Sequence, residues 1–223
     1  YITYAVPFFL LALLAELAYG IAIKKNTYRL NDAISNLFMG TLRTANKLII
    51  IGAAGYVFYL AETRFALWRM DAESPITWIF AFVIYDFFYY WFHRISHERQ
   101  IFWASHAAHH QSEDYNLSTA LRQTGTGAFV SWVFYIPMFL IGIPSYVFIS
   151  VASLNLVYQF WVHSEHIPKL GWYENYFVTA SNHRVHHAQN EQYIDKNYGG
   201  VFIIWDRMFG THKIEDENEA GIY

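Results

Sequence analysis

The chain has 223 residues, of which 55% are hydrophobic, 20% aromatic and 15% charged. A soluble domain carries roughly a quarter charged residues, so this composition is typical of a membrane protein. The formal net charge of -3 argues against nucleic acid as a partner, and the lack of cysteine excludes disulfides, thiolate metal sites and iron–sulfur clusters. The first residues lack the basic segment and the cleavage site of a signal peptide. Because the chain begins at Tyr1, we expect that the native start is missing.

Two apolar runs in the first third of the chain predict membrane helices. Residues 5–23 form a run close to the roughly 20 residues that a spanning helix needs. Glu16 interrupts this run, and a carboxylate at that depth is costly unless it faces the interior of the helix bundle. The second run, residues 48–61, is short and becomes a plausible span only if residues 41–46 extend the helix.

Two further apolar segments follow, and each ends at a polar block. Residues 76–92 form one more hydrophobic helix. Residues 125–162 are too long for one span and are broken by GIPS at 142–145, which predicts a helical hairpin. Because a hairpin returns the chain to the same side, we expect the polar blocks 93–124 and 163–223 to meet at one membrane face.

The segments together predict one all-α domain over residues 1–223. We expect an integral membrane bundle of about four hydrophobic helices, some of them paired as hairpins, with a histidine-rich helical cap that holds a dinuclear metal site. Lys24, Lys25 and Arg29 form a basic patch after the first helix, and such patches favour the cytoplasmic side. We therefore expect a multi-pass protein of the bacterial inner membrane, or alternatively of the endoplasmic reticulum, with its active site on the cytoplasmic side.

Ten of the eleven histidines fall into four short motifs within the polar blocks. The motifs are HRISH (His93, His97), HAAHH (His106, His109, His110), HSEH (His163, His166) and HRVHH (His183, His186, His187). Residues three or four apart share one face of a helix, so each motif can direct at least two imidazoles at one point. So many imidazoles packed together cost desolvation and mutual repulsion unless a metal lies among them. The motifs therefore predict metal binding.

The number of histidines indicates two metal ions, because nine or ten imidazoles exceed the four ligands of one tetrahedral zinc. Imidazole binds iron, zinc and copper, so the ligand type does not choose the metal. Asp86, Glu113, Asp114 and Glu165 are nearby carboxylates that could orient the ligands or bridge the ions. We take Asp86 and Glu113 as the candidate catalytic carboxylates. The alternative for Asp86 is a hydrogen bond to a neighbouring helix, because it lies inside an apolar segment.

The order of the histidine motifs resembles the fatty acid hydroxylase and sterol desaturase superfamily of membrane di-iron oxygenases. The resemblance extends from about Asp86 to Gly210. Within the superfamily, HHQSEDYNLSTALRQ, FWVHSEHIPKLGW and NHRVHHAQNEQYIDKNYGGVFIIWDRMFGT are similar to the branch of alkylglycerol monooxygenase and C-5 sterol desaturase. The last of these stretches is the most specific.

The resemblance implies two iron ions, with zinc as a possible substitute in purified protein, and O2-dependent hydroxylation or desaturation of a lipid C–H bond. It implies that nine of the ten clustered histidines are metal ligands, and it leaves open the role of His166, whose spacing from His163 departs from that of some relatives. Glu113 matches an acidic position of the alkylglycerol branch. The chain shows no flavin, nicotinamide or haem domain, so electrons are expected from a separate donor, either a tetrahydropterin or a protein of the cytochrome b5 or ferredoxin type.

Two other classes of protein also place histidines in membrane helices. A haem electron carrier needs only pairs of axial ligands and does not explain two HxxHH motifs. A metal transporter, or another metal-binding membrane protein without catalysis, would distribute its ligands along a path through the bilayer. In this chain the histidines instead gather where the apolar segments end, which favours the oxygenase.

Overall fold

The computed structural model describes residues 2–216, 218–219 and 221–223. The described part of the chain is helical and contains no β-strand; one isolated antiparallel bridge joins Phe177 and Phe202. Six short 3-10 helices lie between the α-helices. The α-helices are α1 (Ile2–Ala22), α2 (Leu30–Arg64), α3 (Pro75–Glu98), α4 (Gln100–His106), α5 (Ile136–Ile141), α6 (Ser145–Trp161), α7 (Ala180–His187) and α8 (Ile204–Phe209).

Three helices, α1, α2 and α3, are long and apolar enough to cross a membrane. Leu11, Leu14, Ile49 and Ile79 are among the many large apolar side chains that these helices leave exposed. Exposed apolar faces of this kind are expected where helices contact lipid rather than water. The predicted all-α membrane bundle is confirmed.

The helix α2 differs from the prediction, because it has 35 residues and begins well before residue 48. At 1.5 Å per residue it is roughly 50 Å long, whereas a bilayer core is about 30 Å thick. Its first half is polar and binds the histidine-rich region. Asn36 Nδ2 donates to Ser118 Oγ (2.9 Å), and Asn46 Nδ2 donates to the carbonyl of Gly125 (2.9 Å). These two contacts join α2 to residues that are distant in sequence, so no local sequence pattern predicts them. They explain why the helix extends beyond its apolar run.

The segment predicted as a hairpin breaks at Gly142 and continues as α6. Gly142 adopts a φ of 102°, and a Cβ at this position would lie 1.9 Å from the carbonyl oxygen of Trp68. Before the break, residues 126–135 form two 3-10 helices and only the last six residues form α5. A Cβ at Gly127 would lie 2.1 Å from Thr124 Oγ1, so glycine is required for this tight path. The first arm is therefore less regular than a spanning helix.

The bundle core lies where α3, α5 and α6 meet. Its buried members include Ala81 on α3, Met138 on α5, and Val147 and Val151 on α6. Aromatic rings surround it, and Tyr85 stacks on Tyr135 with ring centroids 4.7 Å apart. The packing holds α3 and α6 together, and the segments that carry histidines follow the C-terminal ends of both helices. The fold thus brings the two polar blocks to one end of the bundle.

We expect Gly142→Ala to destabilise the protein, because the methyl group would overlap the Trp68 carbonyl and the left-handed φ disfavours an L side chain. The loss should be about 2 kcal/mol or more, from strain that the packed backbone cannot relieve. Gly52→Ala on α2 is the matched control, because a Cβ there meets no atom within 4 Å. Thermal unfolding of both variants in detergent tests the prediction, and equal midpoints would contradict it.

Candidate metal centre

Five segments carry the grouped histidines to the end of the bundle where α3 and α6 finish. The last turns of α3 supply His93 and His97, and α4 ends at His106. The next histidines lie in the 3-10 turn His109–Gln111, and His163 follows the C-terminal end of α6. The remaining three belong to α7. Histidines that are far apart in sequence therefore meet because the helix ends meet.

The short helix α7 is entirely buried, and a capping box holds its N-terminus. Thr179 Oγ1 accepts a hydrogen bond from the backbone N–H of Asn182, and Asn182 Oδ1 accepts one from the backbone N–H of Thr179 (3.1 Å). Two otherwise unsatisfied amide groups are thereby paired. The box fixes the rotation of α7, and with it the direction of its three imidazoles.

Nine histidines form two groups, in each of which one ring nitrogen per residue lies within 4.8 Å of the others. The first group is His93, His97, His106, His110 and His186; the second group is His109, His163, His183 and His187. Adjacent residues such as His109 and His110 belong to different groups. All members of the second group are buried, whereas three members of the first are only half-buried.

Backbone carbonyls orient four of these rings through Nδ1. The pairs are His93 with Tyr198 (2.8 Å), His109 with Arg122 (2.7 Å), His163 with Gln159 (2.9 Å) and His186 with Lys196 (2.9 Å). A carbonyl oxygen only accepts hydrogen bonds, so each of these Nδ1 atoms must carry the proton. In the neutral ring Nε2 then presents a lone pair, which is the arrangement common among metal-binding histidines.

The lone pairs of the second group face one another. The Nε2 atoms of His109 and His163 are 3.4 Å apart, and both rings already donate through Nδ1. Neither neutral ring can therefore donate to the other. Such a contact is repulsive unless a proton or a metal cation lies between the nitrogens.

Within the two groups, four more ring nitrogens are buried without a hydrogen-bond partner in the described part of the chain, as is His166 Nε2 outside them. The four are His97 Nε2, His183 Nδ1, His186 Nε2 and His187 Nε2. In the first group, His106 Nε2 also lies 3.1 Å from His93 Nε2 and 3.2 Å from His110 Nε2. Unpaired buried acceptors are costly, and metal coordination would satisfy them.

Burial lowers the pKa of the seven grouped histidines that lie outside the long helices. They are His106, His109, His110, His163, His183, His186 and His187. For His109, burial lowers the pKa to about 4; the hydrogen bond to the Arg122 carbonyl opposes the shift, and the charges of Arg43 and Arg122 add to it. These imidazoles are therefore neutral at neutral pH, so protonation does not relieve their crowding. The residues present fit metal ions.

Asp86 is buried and binds four donors, none of them a histidine. Oδ1 accepts from Asn155 Nδ2 (2.7 Å) and from the backbone N–H of Val201 (2.8 Å). Oδ2 accepts from the backbone N–H of Phe202 (2.9 Å) and from Trp205 Nε1 (3.0 Å). The carboxylate thus joins α3 to α6 and to the segment before α8. This arrangement matches the alternative that the sequence left open, a hydrogen bond to neighbouring helices.

Glu113 lies at the surface, with 75% of its side chain exposed. It forms an ion pair with Arg29 Nη2 (2.8 Å), and Arg29 Nε pairs with Asp114 (2.6 Å). The structure places Glu113 in neither histidine group. Its contact instead ties the α1–α2 connection to the segment that follows His110.

His166 also lies outside both groups. Its ring meets Tyr19 of α1 edge-on, with centroids 5.3 Å apart. A Cβ at Gly20 would lie 3.2 Å from His166 Nε2, so α1 packs closely against this imidazole. The structure therefore brings together nine of the ten predicted histidines and leaves His166 in a helix contact.

Two acidic residues that were not predicted as site residues hold the surrounding backbone. Glu16 faces the interior, where it accepts hydrogen bonds from Tyr28 Oη (2.5 Å), the backbone N–H of Leu117 (2.8 Å) and Ser164 Oγ. Its position inside an apolar run was the signal for such a role. Asp206 accepts from the backbone N–H of Tyr198 (2.7 Å), the residue whose carbonyl orients His93.

A bundle with helices long and apolar enough to cross a membrane, and with two groups of clustered imidazoles at one end, defines a membrane protein with a candidate metal site. The chain belongs to the fatty acid hydroxylase family, whose model matches residues 78–211. This range contains every histidine of the two groups. The predicted family resemblance is confirmed.

Several named proteins are similar in sequence to this chain. The chain is similar to alkylglycerol monooxygenase of Homo sapiens, with 46% identity over all of this chain and 50% of that protein. The Xenopus tropicalis alkylglycerol monooxygenase is 42% identical over 97% of this chain and 48% of that protein. An ornithine lipid hydroxylase of Rhizobium tropici is 29% identical over 77% of this chain and 55% of that protein.

The chain spans about half the length of these relatives. No solved structure matches it significantly.

We expect Asp86→Ala to destabilise the protein strongly, because it leaves four buried donors without an acceptor. The loss should be about 3 to 5 kcal/mol, and Asp86→Asn, which keeps one acceptor oxygen, should lose less. Unfolding in detergent gives the stability, and metal content at a temperature where the variants are folded separates stability from metal binding. Full metal content in folded Asp86→Asn would support a structural role, whereas its loss without a change in stability would point back to the metal site.

Proposed function

We propose that the chain is a membrane-bound di-iron, O2-dependent oxidoreductase that oxidises a C–H bond of a lipid such as an alkylglycerol, a fatty acyl chain or a sterol. The observation that carries the proposal is the facing of neutral imidazole lone pairs in two separate groups. Membership of the fatty acid hydroxylase family supports it. Hydroxylation is favoured over desaturation because relatives at 42 to 46% identity are named monooxygenases.

The nine grouped histidines are the proposed ligands, five for one ion and four for the other. When bound, the two irons would supply the redox chemistry that activates O2, while the protein supplies geometry and a dry site. The backbone carbonyls that accept hydrogen bonds from four of the Nδ1 atoms orient those rings and leave Nε2 as the atom that would bind metal. In this proposal His166, Asp86 and Glu113 are not ligands: they stabilise contacts of α1, of the bundle and of the α1–α2 connection.

The substrate is proposed to enter from the bilayer, because the apolar helix α3 itself carries His93 and His97 of the first group at its C-terminal end. The electrons are proposed to come from a separate donor, either a tetrahydropterin or a protein of the cytochrome b5 or ferredoxin type. Half-buried members of the first group, among them His97 and His110, lie closer to solvent than the second group. A donor in water would therefore reach the first group more easily.

We further propose that the histidines face the cytoplasm, in the bacterial inner membrane or alternatively the endoplasmic reticulum. Lys24, Lys25 and Arg29 follow α1 and lie at the same end of the bundle as the histidines, since Lys25 pairs with Glu165 (3.3 Å) and Arg29 with Glu113. A basic patch at this end fits the positive-inside rule.

The metal assignment predicts about two metal ions per chain in protein expressed with iron. His97→Ala should lower the content to about one ion by damaging the first group, and His183→Ala should do the same through the second. His166→Ala is the matched control, because this residue is clustered in sequence but lies outside both groups. Mass spectrometry of purified protein measures the content. Equal losses in all three variants would contradict the assignment of ligands.

The catalytic proposal is tested with the same iron-loaded protein. After anaerobic reduction, addition of O2 and an alkylglycerol should give an oxidised lipid, and His109→Ala should abolish the product. A Soret band in the purified protein would instead favour a haem electron carrier. Iron-loaded protein that consumes no O2 with any lipid and donor would favour a metal-binding protein without catalysis.

The orientation can be measured cleanly because the chain has no cysteine. A single cysteine at exposed Lys24 should be protected from a membrane-impermeant maleimide in intact cells and react after lysis. A cysteine at exposed Tyr59 in α2 provides a control within the apolar part of that helix, where labelling should stay low throughout. Labelling of Lys24→Cys in intact cells would show that this end of the bundle faces the outside of the cell, which would contradict the proposed orientation.

A further inference from the structure

Arg43 is a cation for which the proposed function has no role. It lies in α2 and is half-buried. The other half-buried or buried arginines, Arg94, Arg122 and Arg184, each bind a carboxylate or a backbone carbonyl. Within the described residues, Arg43 has no hydrogen bond and no ion pair. A partly desolvated guanidinium without an acceptor is costly, so its position calls for an explanation.

The guanidinium lies close to the first histidine group. A Cβ at Gly127 would be 3.4 Å from Arg43 Nη1. Gly127 also lines a small cavity of about 10 Å³, and His106 is part of the same lining. The polar side chains of Ser105 and Thr124 line this cavity as well. The cation therefore adjoins the space beside a proposed metal ligand.

No carboxylate of the described residues pairs with Arg43, whereas three tyrosines interact with its charge. Its charge interacts with Tyr85, Tyr89 and Tyr135, and the ring of Tyr89 lies 5.4 Å from that of His93. The nearest carboxylate along α3, Asp86, already binds four donors. Within the described residues, the donors of Arg43 are therefore left without a carboxylate acceptor.

The level of Arg43 in the bundle indicates what could bind there. Asn36 of α2 binds the cap, and the apolar run of the same helix begins near residue 48. Arg43 lies between these points, at the level where the polar cap meets the apolar helices. A lipid that enters from the bilayer would place its head group, not the end of its chain, at this boundary.

We propose that Arg43 binds acceptor oxygens in the head group of the lipid substrate and holds that head group beside the first histidine group. The planar guanidinium presents several donors and suits a pair of oxygens, either two hydroxyls of a glycerol or two oxygens of a phosphate. This inference rests on the proposed function, because it concerns the substrate of that site. It makes Arg43 a residue that determines specificity for lipids with oxygen-rich heads.

The test is equilibrium binding of lipids to zinc-loaded protein, which cannot carry out redox chemistry at the metal. The probes are a 1-alkylglycerol, the corresponding 1-alkylglycerol 3-phosphate and an alkane of equal chain length. Arg43→Met should weaken binding of both head-bearing lipids by about tenfold or more, and should leave alkane binding unchanged. A larger loss for the phosphate would identify a charged ligand, and equal losses would identify the hydroxyls.

Lys47→Met is the matched control, because Lys47 is a cation one turn further along the same face of α2 and is exposed. It should bind all three lipids as the unaltered protein does. Arg43→Lys keeps the charge and loses the planar fork, so it should fall between the unaltered protein and Arg43→Met. Equal zinc content in all variants establishes that they are folded.

Turnover of the iron-loaded protein separates this inference from the proposed function. Arg43→Met should raise KM for an alkylglycerol with little change in kcat, because head-group binding precedes the chemistry. Unchanged lipid binding and unchanged KM in Arg43→Met would overturn the inference and leave the proposed function intact. Lipid binding that depends on Arg43 in a protein that oxidises no lipid would instead remove the proposed function alone.

Discussion

The organisation of this protein depends on the crowding of nine neutral imidazoles at one end of a helix bundle. Rings such as His109 and His163 aim lone pairs at each other because carbonyls hold the protons on the opposite nitrogens. That arrangement is unfavourable in the protein alone and favourable around cations. The fold must therefore supply enough stability elsewhere to hold the rings in place.

Buried carboxylates at the membrane boundary provide part of that stability. Asp86 joins α3 and α6 to the segment after Tyr198, and Glu16 joins α1 to Leu117, after the second histidine motif, and to Ser164, within the third. Asp206 accepts a hydrogen bond from the backbone N–H of Gly199, which belongs to the peptide whose carbonyl orients His93. Each carboxylate satisfies several donors that would otherwise be unpaired in a region with little water. These acidic residues thus connect the histidine-rich segments to the helix bundle through hydrogen bonds.

Much of the fold could be predicted from the sequence, because apolar runs and clustered histidines are local signals. The length of α2 could not, since its first half is held by contacts such as Asn36 with Ser118, which lie 82 residues apart. The division of the histidines into two groups could not be predicted from the sequence either. His109 and His110 are adjacent, yet the 3-10 turn directs them to different groups. His166 is the opposite case, in which the local spacing groups a residue with its neighbours but the structure places its ring elsewhere. Its spacing from His163 fits a common helical face, but α6 ends at Trp161 and the ring turns toward α1.

The two histidine groups differ in burial, and this difference follows from the order of the motifs. The second group combines His109 with His163, which follows α6, and with His183 and His187 of α7, and all four are buried. The first group takes His97 from α3, His106 from α4 and His110 from the 3-10 turn, and these three are only half-buried. Two sites built from the same imidazole therefore lie in different dielectric surroundings. Since burial governs both the basicity of imidazole and the access of water, the two positions have unequal chemistry before any metal or substrate is bound.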